Sequence, residues 1–486
     1  MVAPVLVWFR EDLRVSDNPA LHAAAESGSP VLCVFIFDPE ASGTNAPGGA
    51  SRWWLHGSLT ALDEALRKLG AELAVIEGAA EEIIPAIVAE TDTTAIFWNR
   101  RYGPEREIDV RLKARLRDSG RTVRSFAGRL LFEPGEVTTK SGDLYKVFTP
   151  YRNATLLKTP PAPLRAPARL EPAEWPQPLR QRFVEVGQLR LEPSKPDWAK
   201  EMRAFWQRGE AGAHARLAAF LEEDFAGYAQ TRNRPDLEST SRLSPHLHFG
   251  EISPRQVIFA ARHAFDSEEA GAKQEDFDVL RSEIGWRDFS HQLLFSHADI
   301  SVNSIQTNFD AFPWREDPAG LKAWKTGMTG YPFVDAGMRQ LWATGFMHNR
   351  VRMVVASFLI KHLLIDWRIG ERWFWDTLVD ADSANNAASW QWVAGSGADA
   401  APYYRIFNPV SQGERFDPNG EYVRRWVPEI AKLPRSAIHR PWEASSAVLA
   451  SAGVRLGKDY PLPVVAHDAG RRRALAAFES IRRRAS

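Results

Sequence analysis

The chain has 486 residues, 44% hydrophobic and 25% charged, enough for two or three globular domains at ~150 residues each and too apolar for a disordered or fibrous class. Lysine plus arginine equals aspartate plus glutamate at 61 each, so no global field draws the chain to nucleic acid or acidic lipid, and any polyanion site has to be a local patch. One cysteine, Cys33, excludes a disulfide framework, a Cys-ligated zinc site and a four-cysteine iron–sulfur cluster, and makes a cytoplasmic location the default expectation.

The first apolar run, 5–9, stops at Arg10, Glu11 and Asp12, too short for a signal-peptide core. Residues 5–8, 31–37, 73–76 and 95–98 have the length and β-branching of buried parallel strands. Helix-like stretches alternate with them at 18–26, 51–69, 80–90 and 104–118. Within the second, Ser58, Ala61, Leu62, Ala65, Leu66 and Leu69 keep the 3–4 spacing of an amphipathic helix. This alternation predicts a doubly wound, Rossmann-like parallel sheet over 1–130. No G-x-G-x-x-G follows the first strand, so a nicotinamide fingerprint is absent. From 131 to 200 prolines break the periodicity, Thr159-Pro160-Pro161-Ala162-Pro163 most densely, and the stretch reads as a linker traced over the surface.

Residues 201–486 read as an all-α domain, with amphipathic stretches at 211–224, 254–264, 276–295, 321–326, 331–344, 349–364 and 371–378. Ser253 before Pro254 and Gly345 after Thr344 mark a helix start and a helix end. Arg352, Lys361 and Asp366 interrupt 351–367, short of the ~20 apolar residues of a membrane span, so no membrane partner is expected. Residues 380–408, rich in Ala, Ser, Asn and Gly, read as a conspicuous loop. Eighteen tryptophans stand against nine tyrosines, and nine of them lie between Trp286 and Trp392. That density fits either a large helical core or a region that uses easily oxidised rings.

Four clusters carry candidate chemistry. Thr240-Ser241-Arg242-Leu243-Ser244-Pro245 offers hydroxyls, a cation and a helix start, suited to a diphosphate or simply to a cap. Glu283, Trp286 and Arg287 fall at i, i+3 and i+4, either a surface pair beside a half-buried indole or a pocket wall. Asn349 and Met353 share a helix face while Arg352 points elsewhere and needs a carboxylate, for which Asp380 and Asp382 are candidates. Asp382, Asn386 and Trp390 follow at four-residue steps, with Trp392 two residues on. On a helix they would line up a carboxylate, an amide and an indole that a bound heteroaromatic group could satisfy.

Together these stretches resemble the photolyase/cryptochrome flavoproteins. Trp8-Phe9-Arg10-Glu11-Asp12-Leu13-Arg14 and Lys146-Val147-Phe148-Thr149-Pro150-Tyr151 look like their opening domain. Thr240–Pro245, Glu283–Arg287, 345–353, 380–392 and Asn408-Pro409 with Gln412 and Phe416-Asp417-Pro418 look like their flavin domain, in order along the chain. The resemblance implies a U-shaped FAD. Tyr228, Thr240, Ser241, Arg242, Leu243 and Ser244 would hold its diphosphate, and Arg352 would pair with Asp380 beside the isoalloxazine. Asp382 would contact the ribityl chain or ring edge, and Asn386 would face flavin N5, where an amide without an acidic proton favours the fully reduced, anionic flavin.

The implied reaction is light-driven reversal of a cyclobutane pyrimidine dimer in UV-damaged DNA, single- or double-stranded, by one electron from reduced FAD to the dimer flipped from the stack. Trp286 and Trp392 would wall the flipped dimer, with Met353 in apolar contact. Glu283 would hydrogen-bond a pyrimidine carbonyl, assisted by Asn349. Arg287, Arg350 and Gln412 would grip the DNA backbone, while Trp390, Trp367 and Trp314 would form an electron-transfer chain to the surface. His348-Asn349 and Met353, where (6-4) enzymes of the family show histidines, favour cyclobutane dimers. The α/β domain would hold an antenna, methenyltetrahydrofolate or else an 8-hydroxy-5-deazaflavin, near Glu105, although Pro104 replaces an expected asparagine. The region around Trp390 resembles the class III branch more than class I. A blue-light receptor acting through a protein partner is the competing reading, weakened by the short tail after Arg471; a monomer is expected.

Overall fold

The computed structural model describes residues 2–38, 46–267, 271–399 and 404–485. It divides into two compact units, Met1–Gly227 with Ser241–Ala298 and Val379–Ala384, and Tyr228–Thr240 with Asp299–Leu378 and Asn385–Ser486.

In the first unit the apolar runs become parallel strands β1 (Val5–Phe9), β2 (Val31–Phe37), β3 (Leu73–Glu77), β4 (Ala95–Asn99) and β5 (Thr122–Phe126), in the order β3-β2-β1-β4-β5. Val7 sits between Cys33 and Phe97 in register. Crossovers run through α1 (Pro19–Glu26), α2 (Gly49–Leu69), α3 (Ala80–Thr91) and α4 (Arg106–Asp118). The period of two sorts the strand side chains. Val5, Val7 and Phe9 pack with Leu21, Trp53 and Leu62 of α1 and α2, whereas Leu6 and Trp8 pack with Ile83, Ile87 and Leu112 of α3 and α4. The strand order reverses between β1 and β4, whose exit loops diverge at the sheet's carboxyl edge, the position where such sheets open a crevice.

The proline-rich stretch does more than cross the surface. Leu170, Trp175, Leu179, Leu189 and Leu191 are buried in the sheet's two cores, and Val31 and Ile76 bridge to Pro172 and Phe183. The surface expectation fails there because proline forbids ladder donation but not apolar burial. Helices α5 (Phe148–Leu156), α6 (Glu210–Ala219), α7 (Ser244–His248), α8 (Pro254–Asp266) and α9 (Gln274–Ser296) also belong to this unit. Ser253 Oγ accepts from Gln256 N at 3.0 Å, the expected cap of α8.

The second unit contains α10 (Pro318–Lys325), α11 (Pro332–Thr344), α12 (Asn349–Ser357), α13 (Trp367–Thr377), most of α14 (Ser383–Ala394), α15 (Pro409–Phe416), α16 (Glu421–Trp426), α17 (Ser446–Ala452) and α18 (His467–Ala485). Gly345 ends α11 with φ +66°, as its sequence position predicts. Helix α14 overturns the reading of 380–408 as a continuous loop; residues 400–403 of that stretch lie outside the described residues. Its small residues are helix formers once Asp382 Oδ1 caps Ala384 N at 3.0 Å and Ala384 and Ala387 are buried. Asp335, fully buried on α11, accepts from Thr329 N (2.7 Å), Thr329 Oγ1 (2.6 Å), Gly330 N (3.0 Å) and Tyr460 Oη (2.5 Å), which ties distant segments to one carboxylate. Among the described residues no helix is long and apolar enough to cross a membrane.

Candidate functional site

The segment Ser241–Ser244 of the first unit leads into α7. Arg242 lies in the left-handed region at φ +51°, a strained conformation for a side-chain-bearing residue and one that clusters at ligand clamps. Ser241 O accepts from Arg216 Nε at 3.0 Å, Leu243 is buried, and Ser244 Oγ donates to Asp380 Oδ2 at 2.6 Å. Burial and then the neighbouring Arg242 depress Arg216, a repulsion between guanidiniums that an anion would relieve. Behind this segment Glu251, fully buried, accepts from Trp54 Nε1 (3.1 Å), Ser58 Oγ (2.5 Å) and Gly209 N (2.8 Å), and its other oxygen lies 2.5 Å from His246 Nδ1. Gly250 holds φ +68° where a Cβ would meet Glu11 O at 2.2 Å, so the turn is moulded onto the loop leaving β1.

Asp382 is buried beneath the same unit. Its Oδ2 lies 3.2 Å from Arg129 Nη2, 3.4 Å from His291 Nε2 and 3.7 Å from His248 Nδ1. Burial opposes its ionisation, and the facing His291, His248 and Arg129 reverse this, holding the carboxyl well below the usual range.

Helix α9 presents Glu283 and Trp286 half-buried, with the Trp286 indole stacked on Phe148 at 3.6 Å and 15°. Arg287, one residue on, is a correction to the expected DNA-gripping cation. It is 7% exposed, and its guanidinium donates to Arg129 O (2.7 Å) and Leu247 O (3.1 Å). Helical spacing put it on the face of Glu283, but that part of the helix surface is covered and the charge is spent on backbone carbonyls. Glu105, near the start of α4, is half-buried, and burial followed by Glu11 raises its carboxyl.

In the second unit Tyr228 is buried and Thr240 half-buried. His348 caps α12, its Nδ1 accepting from Arg350 N at 3.1 Å, which sets the rotation of the helix. Asn349 is then exposed and Met353, one turn on, half-buried. Arg350 donates to Asn233 Oδ1 at 2.8 Å and covers Phe416, and Arg352 Nε donates to Met347 O at 2.7 Å. Gln412 on α15 has a buried Oε1 with no hydrogen-bond partner, and Trp392 is half-buried.

Asn386 is buried on α14, and its Nδ2 donates to Glu371 Oε1 at 2.8 Å and Glu371 O at 3.2 Å. Both amide hydrogens are thereby committed, and what the side chain offers anything else is its carbonyl oxygen, an acceptor suited to the N5–H of a reduced flavin. Four residues on, Trp390 packs edge-on to Phe374 (5.0 Å) and Trp324 (6.3 Å). It occupies space that any side chain at Gly370 would fill, since a Cβ there would sit 2.2 Å from its ring. Trp367, fully buried, begins the helix that carries Gly370. Arg315 N donates to Leu364 O at 2.8 Å, which brings the half-buried Trp314 beside the start of that helix, its ring tilted 41° against Phe312 at 4.3 Å. The three indoles thus occupy neighbouring elements and end on one that reaches solvent.

Sequence reasoning missed Glu371, Arg129 and Trp324, which back the candidate residues from positions with no local motif. In the first unit the cationic, strained Ser241–Ser244 segment suits a diphosphate, and in the second the acceptor oxygen of Asn386 suits a ring N–H. Among the described residues no group of three or more His, Cys, Asp or Glu is placed to hold a metal ion.

Comparison with known proteins identifies the family. Residues 5–168 match the family described as DNA photolyase, and residues 279–480 match the FAD binding domain of DNA photolyase. The deoxyribodipyrimidine photo-lyase of Agrobacterium fabrum is 51% identical over 99% of this chain and 98% of its own length. Cryptochrome-1 of Arabidopsis thaliana is 40% identical over 98% of this chain and 70% of its own length. The crystal structure of a bacterial class III photolyase from Agrobacterium tumefaciens superposes with a TM-score of 0.94 at 51% identity, covering 99% of this chain and 98% of that one. The chain belongs to the DNA photolyase family.

Proposed function

We propose that this chain is a deoxyribodipyrimidine photo-lyase of the class III branch, a FAD-dependent enzyme that uses light to split cyclobutane pyrimidine dimers in UV-damaged DNA. The observation that carries the reading is the pinned amide of Asn386. When bound by the residues named below, fully reduced FAD would supply light-driven one-electron chemistry for opening the dimer.

The chain's own residues divide the work. Ser241, Arg242, Leu243 and Ser244, with Tyr228 and Thr240, hold the cofactor's diphosphate, their backbone donors and the Arg242 cation matching its charge. Asp380, Asp382 and Arg352 orient the ring system. Asn386 offers N5 an acceptor and no acidic proton, because Glu371 holds both amide hydrogens. Asn349, and Glu283 when its carboxyl carries a proton, donate to the pyrimidine carbonyls where negative charge develops, while Trp286, Trp392 and Met353 wall the flipped bases and exclude water. Arg350 and Gln412 contact the DNA backbone; Arg287 is left out of this set. Trp390, Trp367 and Trp314 conduct electrons that restore the reduced cofactor.

Residues 1–130 form the antenna-binding portion, joined by 131–200 to a catalytic portion in 201–486. Its antenna is methenyltetrahydrofolate near Glu105, with 8-hydroxy-5-deazaflavin as the competitor, and the protein works as a cytoplasmic monomer. An oligonucleotide carrying one thymine dimer, mixed with the fully reduced protein, should lose the dimer under blue light and keep it in the dark. Unchanged dimer content in the light would refute repair and favour the receptor reading that the 40% identity to a plant cryptochrome also supports.

A further inference from the structure

The loop leaving β1 belongs to the most distinctive stretch of the sequence, yet the repair reaction assigns it nothing. Its Glu11 pairs with Arg129 Nη1, and Arg129 Nη2 reaches Asp382 Oδ2 at 3.2 Å. Arg129 is only 7% exposed and Asp382 3% exposed, so this is a charge pair in a low-dielectric setting, anchored at one end by a residue nearer the surface.

Two further groups face the same carboxylate oxygen, and neither is a permanent cation. His291 Nδ1 lies 2.9 Å from Arg287 O, an atom that can only accept, so Nδ1 carries a hydrogen and Nε2 can donate to Asp382 only when the ring takes up a second proton. Burial pushes His291 below its ordinary value, toward the neutral form. His248 stands farther off at 3.7 Å. Arg287 is close enough to be felt but spends its donors on carbonyls. Arg129 therefore compensates Asp382 through a direct contact and without needing a proton.

We propose that Arg129, anchored by Glu11, is a positioning residue for the flavin: it holds the Asp382 carboxylate ionised and in one orientation toward the ring system. The inference rests on the assignment of Asp382 to the flavin made above. It gives the β1 exit loop a part in setting how readily the cofactor stays reduced. Reduced FAD in the working enzyme is an anion, and a neighbouring carboxylate stripped of its cation disfavours that anion relative to the oxidised form.

The test is the equilibrium between oxidised and fully reduced FAD in the holoenzyme, measured against a reference dye for the wild type, Arg129→Gln, Asp382→Asn and the double variant. Arg129→Gln should shift the equilibrium at least tenfold toward oxidised FAD, about 30 mV for a two-electron couple. In the Asp382→Asn background the same change should shift it less than twofold, because the effect runs through the carboxylate. An equal shift in both backgrounds, or no shift with FAD still bound, overturns the proposal. Asp382→Asn leaving both FAD retention and the equilibrium unchanged would refute the underlying assignment instead, and the proposal with it. Should Arg129→Gln not accumulate as holoenzyme, Arg129→Lys decides: a wild-type equilibrium supports a role through charge, and a tenfold shift overturns it.

Discussion

Replacing Glu371 by glutamine isolates the energetic consequence of holding a carboxyl group against a buried amide. Glu371 is 6% exposed, and burial, only partly relieved by the hydrogen bond from Asn386, pushes its carboxyl from an ordinary 4.5 up to about 7. That gap corresponds to roughly 3 kcal/mol at 1.36 kcal/mol per tenfold change in proton affinity. An acid with a higher pKa folded than unfolded binds the extra proton in the folded state. Its stabilising share is complete below pH 4.5, falls as pH rises through 7 and is gone above that. Glutamine stays neutral and keeps an acceptor oxygen for Asn386, so Glu371→Gln should melt within a degree or so of wild type at pH 5. By pH 8.5 it should melt several degrees higher, up to ~3 kcal/mol in stability. Thermal melts of both proteins between pH 5 and 8.5 supply the comparison. A melting difference that does not change with pH, or a variant less stable at pH 8.5, would refute the argument that burial raises this carboxyl to near neutrality.

Trp390→Phe should abolish photoreduction of oxidised FAD while sparing repair by chemically reduced enzyme, because a phenyl ring is far harder to oxidise than an indole. Absorption spectra under blue light with an external reductant read the first effect, and undiminished photoreduction would contradict the Trp390–Trp367–Trp314 path. Glu283→Ala should lower the repair yield per photon severalfold with FAD content unchanged; loss of FAD instead would mean that this face of α9 serves the cofactor. Asp335→Ala should cost on the order of 3 kcal/mol or more, since Thr329, Gly330 and Tyr460 would keep buried donors without an acceptor. A melting temperature within 2 °C or so of wild type would show that water replaces the carboxylate at little cost.

The sheet was legible because a parallel strand covered on both faces is a plain apolar run, as in 31–37. The edge strand β5 escaped notice for the converse reason. Thr122-Val123-Arg124-Ser125-Phe126 buries only Val123 fully, so it carries no apolar signal. Helix α14 was hidden by its composition, since alanine, serine and asparagine serve loops and capped helices equally well. Spacing puts Asn386 and Trp390 one turn apart on α14 with Asp382 capping its start, because ranks along one helix are a local property. It failed for Arg287, where the covering carbonyls of Arg129 and Leu247 come from 158 and 40 residues away. Glu371 and Arg129 were illegible for the same reason, because a supporting contact between distant elements leaves no local pattern in either one.

The four donors gathered on Glu251 bear on how the chain can be cut. Trp54 and Ser58 come from α2 of the sheet layer, Gly209 from the start of α6 and His246 from α7, and Leu13 N and Arg14 Nη1 reach back to Phe249 O and Gly250 O. A truncated version ending where the proline-rich stretch ends would strip an indole and a hydroxyl of their shared acceptor and lay bare the wall that Phe249 covers. Grafting a foreign light-collecting module onto this protein therefore requires carrying residues 241–251 along with it, because the seam between exchangeable pieces lies beyond the point where the chain changes texture.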